Sequence, residues 1–348
     1  MGARIPEKNK KDGVCYVCSD EGVELPVIDV THPAFALDPT VGEISRRVEA
    51  YLRGEDRWER MPRILRWGIS RFCLRRSVLA RGGTGLDGSL MSGMTTYLMK
   101  LGPDNLGEGY AKSLDRKVAE ALPPYGVRLR LRDMARLIAE SLIPALAARP
   151  GQPIRLLNIA GGPAMDSLNG LILVRRERPG LLEGRRIRVL VLDPDEAGPR
   201  FGARAAEALR GPGGALEGLD VAVERIDYDW ADPVGLRRIG EGRNAEGALV
   251  AGSSEGGLFE YGSDEEILAN LEVLREILPE DVRMVGSVLR DDRVTRAMRR
   301  SSRLSLRYLG AEVLGRLAER VGWSVERILE GPTLQSMVLK KAPGDATA

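Results

Sequence analysis

C-terminal to Pro150, short continuous apolar runs alternate with stretches whose apolar residues recur at helical spacing. The runs Arg155–Ala160, Arg188–Leu192, Asp220–Ile226, Gly247–Ala251 and Val282–Leu289 have the length and aliphatic content of buried strands. Helices are predicted near Asp166–Arg178, near Phe201–Leu209, from Ser263 onward and around Arg303–Val321; the segment Val234–Ile239 is poorly defined. Ser263-Asp-Glu-Glu266 spells a capping box, in which the Ser hydroxyl accepts a first-turn N–H and the Glu reaches back. The chain closes with two strand-like runs, Trp323–Leu329 and Gln335–Lys340, joined by a Glu-Gly-Pro turn, which predicts a hairpin at the sheet edge. Alternation of this kind implies an α/β fold, a doubly wound, mostly parallel sheet with helices on both faces.

The first part of the chain reads differently. Residues 1–40 look irregular, with one strand-like run, Val23–Val30, broken by Pro26. Helical spacing follows at Val41–Arg53, Arg63–Leu79, Met94–Leu101 and Tyr110–Leu122. Arg132–Leu146 carries an apolar stripe, Met134, Leu137, Ile138, Leu142 and Leu146, in which Pro144 is expected to kink or end the helix. Residues 1–125 therefore read as a mainly helical cap and 126–348 as the α/β domain. Between the cap helices, Gly82–Gly93 holds five glycines and reads as a flexible connection or a loop over a site.

Composition removes some classes of function. The 348 residues carry 52 basic and 50 acidic side chains, a net charge of +2, which makes no global case for nucleic acid or an anionic membrane. The apolar runs are too short to span a bilayer, and the N-terminus has no apolar signal core, so a cytoplasmic protein with no membrane partner is expected. Three cysteines do not make a disulfide framework. Cys15 and Cys18 have the spacing of half a zinc site that only Cys73 and the sole histidine, His32, are left to complete; two ordinary thiols are the simpler reading, and no metal is assigned. One local charge feature stands out: Arg60, Arg63, Arg66, Arg71, Arg75, Arg76 and Arg81 have almost no acid beside them. A solvated helix face explains them, and docking of an anionic partner is the alternative.

The chemistry-bearing motifs sit where strands end. Ile154–Leu171 reads as strand, Gly-Gly-Pro turn and helix start, and Ile187–Glu196 as a second strand that ends in acid. Ile226-Asp-Tyr-Asp-Trp230 follows the third strand, and Ala251-Gly-Ser-Ser-Glu-Gly-Gly-Leu-Phe-Glu-Tyr261 the fourth. In doubly wound sheets the carboxyl ends of the strands face the ligand crevice. Together with the terminal hairpin, this pattern over Arg132–Lys341 resembles the class I S-adenosylmethionine-dependent methyltransferases, most of all small-molecule enzymes with a helical N-terminal cap.

The resemblance implies a Rossmann-like domain with S-adenosylmethionine as cofactor and a role for each motif. Ala160, Gly161, Gly162 and Pro163 would form the turn against the cofactor, and Asp166 would accept from its ammonium; Ala160 and Ala164 stand where the family commonly has glycine. Asp193, or Asp195 in its place, would hold the ribose hydroxyls. Asp229 and Trp230 would meet the adenine, and Ser253 and Ser254 would border the cofactor. Glu255, Phe259 and Tyr261 would face the substrate, with Glu255 as the first choice of general base and Tyr261 or Asp264 behind it. From the cap, the glycine-rich run with Thr95, Thr96 and Tyr97 would line the acceptor. The implied activity is methyl transfer to a small-molecule acceptor, free or carried on a protein, with oxygen as the expected target and homo-oligomerisation open. Ser-Ser-Glu-Gly stands where nucleic-acid methyltransferases carry Asn/Asp-Pro-Pro-aromatic, which disfavours a base as acceptor. Two alternatives remain: a catalytically silent binding protein of the same fold, and a nicotinamide-dependent oxidoreductase, for which AGGPAMD departs from G-x-G-x-x-G.

Overall fold

The structure, a computed structural model, describes residues 4–84, 90–107, 110, 113–243, 247–302 and 304–343. The middle of the glycine-rich run, with Gly85 and Gly88, and Arg303 lie outside them. The N-terminal part begins with a two-stranded antiparallel ribbon, β1 (Tyr16–Cys18) and β2 (Glu24–Pro26). Helices α1 (Val41–Arg60), α2 (Arg63–Arg76), α3 (Val78–Thr84), α4 (Gly93–Leu101), α5 (Ser113–Glu120) and α6 (Leu122–Ala148) follow. The α/β part then runs β3 (Ile154–Ile159), α7 (Met165–Glu177), β4 (Arg186–Leu192), α8 (Ala197–Arg210), β5 (Asp220–Ile226), α9 (Val234–Arg243) and β6 (Leu249–Ser254). It continues with α10 (Leu258–Tyr261), α11 (Asp264–Ile277), β7 (Arg283–Leu289), α12 (Arg293–Ser301), α13 (Gly310–Glu319), β8 (Trp323–Glu330) and β9 (Leu334–Lys341).

The seven-stranded sheet has the order β5-β4-β3-β6-β7-β9-β8. From β5 to β7 it is parallel, and β9 inserts antiparallel between β7 and β8 to form the expected hairpin. All six residues of β3 are buried, as a central strand covered on both faces requires. The strand order reverses between β3 and β6, so a crevice opens at their carboxyl ends. The capping box at Ser263 forms, with Glu266 N–H donating to Ser263 Oγ and Ser263 N–H to Glu266 Oε2.

Two helices depart from the sequence pattern. α6 runs from Leu122 to Ala148 and passes through Pro144 without ending. Pro144 lies in the last turns, where its missing N–H releases only one carbonyl, and the apolar stripe packed on α7 outweighs that loss. The helix also runs through position 125/126, so there is no break between cap and domain there. Moreover, Leu25, Val27, Ile28 and Phe35 pack into the same core as Leu156, Val189 and Phe201. Asn169 clamps this segment from α7, accepting from Val30 N–H and donating to Ile28 O. The long helix expected around 303–321 is instead the shorter α13, preceded by α12 and a non-helical stretch at 304–309. Gly310, at φ +67°, breaks the helix, and Arg307 N–H donates to Glu260 O, which pins that stretch over the strand ends.

The turn after β3 shows why its sequence lacks two glycines and still works. Ala160 and Ala164 are the two non-glycine residues with positive φ among those described, at +54° and +55°. The backbone is that of a glycine turn, and each alanine bears a left-handed strain of about 1–2 kcal/mol. Replacing Ala164 by Gly relieves that strain but loses a buried methyl and raises the entropy of the unfolded chain. Ala164→Gly is therefore expected to lie within about 0.5 kcal/mol of the parent in urea denaturation, whereas Ala135→Gly, inside α6 and equally buried, costs more than about 1 kcal/mol. Equal losses at both positions would contradict the strain.

Candidate functional site

A cavity of about 640 Å³ lies where the strand ends meet the cap. From the sheet side it is lined by Ala160–Pro163 after β3, Asp193–Asp195 after β4, Trp230 after β5 and Glu255–Gly257 after β6. Its other walls are mostly apolar: Leu79 of α3, Met91, Met99 of α4, Val127 of α6, Met298 of α12 and Leu306. The volume lies within the range of small-molecule sites.

The cap meets the turn at bare backbone. A Cβ on Gly162 would stand 2.9 Å from Gly93 Cα, and one on Gly198 would stand 2.9 Å from Gly162 Cα. Gly162 also has φ +50°. Its N–H donates to Asp193 Oδ2 at 3.0 Å, while Asp195 N–H donates to Asp193 Oδ1 at 2.9 Å. Asp193 is thus the peg on which the turn hangs, and it lines the cavity as well. Burial pushes its carboxyl above the usual range, although the two N–H donors pull against that. Asp195 also lines the cavity, but its oxygens accept from Ala197 and Gly198 N–H in the first turn of α8. It therefore caps that helix, the role open to either acid.

Other expected cofactor residues scatter. Trp230 lines the cavity; Asp229 is exposed, stands outside the lining and accepts from Ala231 N–H in a local turn. Ser253 and Ser254 are buried at the end of β6 without reaching the cavity, and Ser254 Oγ accepts from Leu258 N–H. Asp166 is fully buried beneath the turn. Its Oδ1 accepts from Asn158 Nδ2 at 2.6 Å, and its Oδ2 has no partner among the described residues; nor does Asn158 Oδ1. Burial, and after it the negative Glu255, push the Asp166 carboxyl up.

Two of the three aromatic residues expected at the acceptor, Tyr97 and Phe259, are core residues instead. Tyr97 packs on Phe201 with ring centroids 4.6 Å apart, and its hydroxyl donates to Pro26 O. Phe259 is fully buried among Leu258, Ile267 and Met284, against the backbone of Gly286. Thr96 does line the cavity. His32 is spent on backbone, with Nδ1 accepting from Ala34 N–H and Nε2 donating to Asp12 O. Cys15 Sγ donates to Ala208 O.

Glu255 is in the cavity wall, but both its oxygens are engaged. Lys100 Nζ of α4 donates to Oε2 at 2.7 Å, and Arg130 Nε of α6 donates to Oε1 at 3.1 Å. Arg130 Nη1 also donates to Glu260 at 3.0 Å, and Ser287 Oγ donates to the same carboxylate at 3.4 Å. All four charged side chains are at most 5% exposed. Burial works against the charge on Arg130, but Glu260 and Glu255 outweigh it and hold the guanidinium more firmly protonated. Burial pushes the Glu260 carboxyl up, with Arg130 opposing. Glu255, expected as the general base, is thus held by two cations; Glu260 also lines the cavity, is held by Arg130 through both oxygens, and has its proton affinity raised by burial. Tyr261 lines the cavity and accepts Met91 N–H at 3.3 Å; burial pushes its hydroxyl up to about 12, so it stands as a neutral donor near pH 7. Asp264 outside this group pairs with Arg307.

Lys100, Arg130 and Glu260 were not anticipated. The signal was present for two of them: Arg130 falls on the α6 stripe four residues before Met134 and seven before Leu137, and Lys100 is the single charge in an apolar run.

The buried polar groups give one prediction with a definite sign. A carboxyl whose folded-state affinity for protons is raised stabilises the fold at low pH and loses that contribution as pH rises through its folded-state value. Asp166→Asn keeps the oxygen that faces Asn158. The variant should match the parent near pH 4, where both side chains are neutral, and exceed it in urea denaturation as pH climbs above the ordinary carboxylate range. A gap that closes with rising pH would refute this.

No family model matches the sequence, and no curated protein does. Among solved structures, a possible exported protein from Bordetella parapertussis superposes with a TM-score of 0.55 at 16% identity, covering 88% of this chain and all of that one. An O-methyltransferase family protein from Burkholderia thailandensis gives 0.39 at 14% identity, over 68% of this chain and 62% of its own. The 1,6-didemethyltoxoflavin-N1-methyltransferase of the same organism, which holds S-adenosylhomocysteine, gives 0.37 at 14% identity, over 62% and 79%. These likenesses concern the fold. No described helix is long and apolar enough to cross a membrane. With five parallel strands, a reversal between β3 and β6 and an antiparallel strand slotted in before the last, the chain has a Rossmann-like, doubly wound fold with a C-terminal antiparallel hairpin, the architecture expected from the resemblance.

Proposed function

We propose that the protein transfers a methyl group from S-adenosylmethionine to a small, largely apolar acceptor, at oxygen. The observation that supports this most is a cavity that joins the strand-end loops to apolar walls from the cap. The residues present fit the cofactor. Ala160–Pro163, Asp193 and Trp230 all line the cavity, and Asp193 retains lone pairs for hydroxyl donors after accepting its two N–H groups. Asp166 lies beneath the turn, buried and outside the cavity lining, and backs the turn from below.

When bound, the cofactor supplies an electrophilic methyl on its sulfonium. The remaining work falls to this chain. The walls of α3, α4, α6 and α12 exclude water and align the acceptor, the main contribution such a transfer needs. Tyr261 donates to the acceptor oxygen and orients it. Glu260 takes the acceptor proton, and Arg130 and Ser287 hold its carboxylate in place. Glu255 and Lys100 fix Arg130 and the floor of the site.

Calorimetric titration with S-adenosylmethionine and S-adenosylhomocysteine, with NAD as control, tests the cofactor. Binding of the first two, weakened at least about tenfold in Asp193→Ala, is expected; binding of NAD alone would end this reading. Binding of none would favour the silent alternative. For catalysis, the acid limb of kcat/KM should lie above the ordinary carboxylate range, because Glu260 must be ionised to act and burial raises its proton affinity. Glu260→Gln should lower kcat by about a hundredfold or more and remove that limb; an unchanged limb would assign the proton elsewhere.

A further inference from the structure

The helix α2 presents an unusual surface. Nine large apolar side chains are exposed among the described residues, and five of them, Ile64, Leu65, Trp67, Ile69 and Phe72, lie on this one helix. Leu65, Ile69 and Phe72 are spaced i, i+4, i+7 and share a stripe. No α2 side chain is buried. The helix also carries Arg63, Arg66, Arg71, Arg75 and Arg76 with no acid. Among the described residues none of these arginines has an ion-pair partner, although arginines elsewhere pair widely: Arg293 and Arg300 of α12, for example, meet Asp56 and Glu59 of α1. Instead Arg71 lies over the Trp67 ring at 5.4 Å and Arg76 over Phe72 at 4.7 Å.

We propose that α2 docks the protein on an anionic lipid surface. Phosphates alone would satisfy the arginines and leave Ile64, Leu65 and Ile69 in water; a bilayer interface takes both, with the aromatic and aliphatic side chains below the headgroups and the arginines among them. This departs from the expectation of no membrane partner, which rested on the small net charge of the whole chain and the absence of a spanning segment. The location adds to it. α3 follows α2 after a single residue, and its Leu79, Ala80 and Gly83 line the cavity, as does Leu90, itself 52% exposed. Part of the apolar wall of the cavity is thus built by the helix that directly follows the docking helix in the chain. On the methyltransferase reading, and only on it, the acceptor is a lipophilic molecule taken from the bilayer; the docking itself does not rest on that reading.

The test is co-flotation of the full chain with vesicles of phosphatidylcholine alone and of phosphatidylcholine mixed with phosphatidylglycerol, together with tryptophan emission. Binding to the anionic vesicles, with a blue shift absent from Trp67→Phe, is expected. Each basic side chain near such a surface contributes about fivefold, so Arg71→Ser/Arg75→Ser/Arg76→Ser should weaken partitioning by about a hundredfold. Arg46→Ser/Arg53→Ser on α1 should leave it nearly unchanged. Leu65→Ser/Phe72→Ser should weaken it without loss of far-ultraviolet circular dichroism, since both side chains are exposed. No binding, equal binding to both vesicles, or full binding by the triple variant overturns the proposal, as does capture of an acidic protein or RNA by a chain that ignores vesicles. S-Adenosylhomocysteine titrated into the triple variant separates the two readings: retained binding with lost flotation leaves the cofactor site intact, and lost flotation in the parent alone condemns only the docking.

Discussion

Four buried charges hold the site together. Lys100 comes from α4, Arg130 from α6, Glu255 from the loop after β6 and Glu260 from α10, so one network ties the cap, the long helix and the strand ends. A buried pair of charges is costly to desolvate and is tolerated only when every member is satisfied. Here Arg130 bridges both carboxylates, Lys100 takes the remaining Glu255 oxygen and Ser287 supports Glu260. No member is free to shift without stranding another. The same arrangement immobilises Glu255 and holds Glu260, whose carboxyl burial pushes above the usual range against the opposing Arg130.

The alternation of strands and helices was legible because each period is local. β5 occupies Asp220–Ile226 as its apolar pattern demanded, and the terminal hairpin and the capping box at Ser263 follow from residues adjacent in sequence. The departures have non-local causes. The helix expected through 303–321 is shortened by Gly310 and by an anchor from Arg307 to Glu260 across the fold. Pro144 does not break α6 because α7 packs along its stripe.

The site was legible in position more than in role. Parallel sheets put ligands at the strand-end loops, and Gly162, Asp193, Trp230 and Glu255 from those loops line the cavity. What each side chain does depends on partners that no motif contains. Glu255 is ion-paired on both oxygens because Lys100 and Arg130 reach it from the cap side. Tyr97 turns to Pro26, and Phe259 fills the space over Gly286, because aromatic side chains at helical spacing are core as readily as lining.

The seam between Gly93, Gly162 and Gly198 has a consequence for descent. Three residues far apart in the chain meet backbone to backbone, and a Cβ on any of them would strike another. Drift at one position is closed while the other two stay in place. Relatives that keep this closure are bound to keep all three glycines, and relatives that have lost one must have parted the cap from the turn.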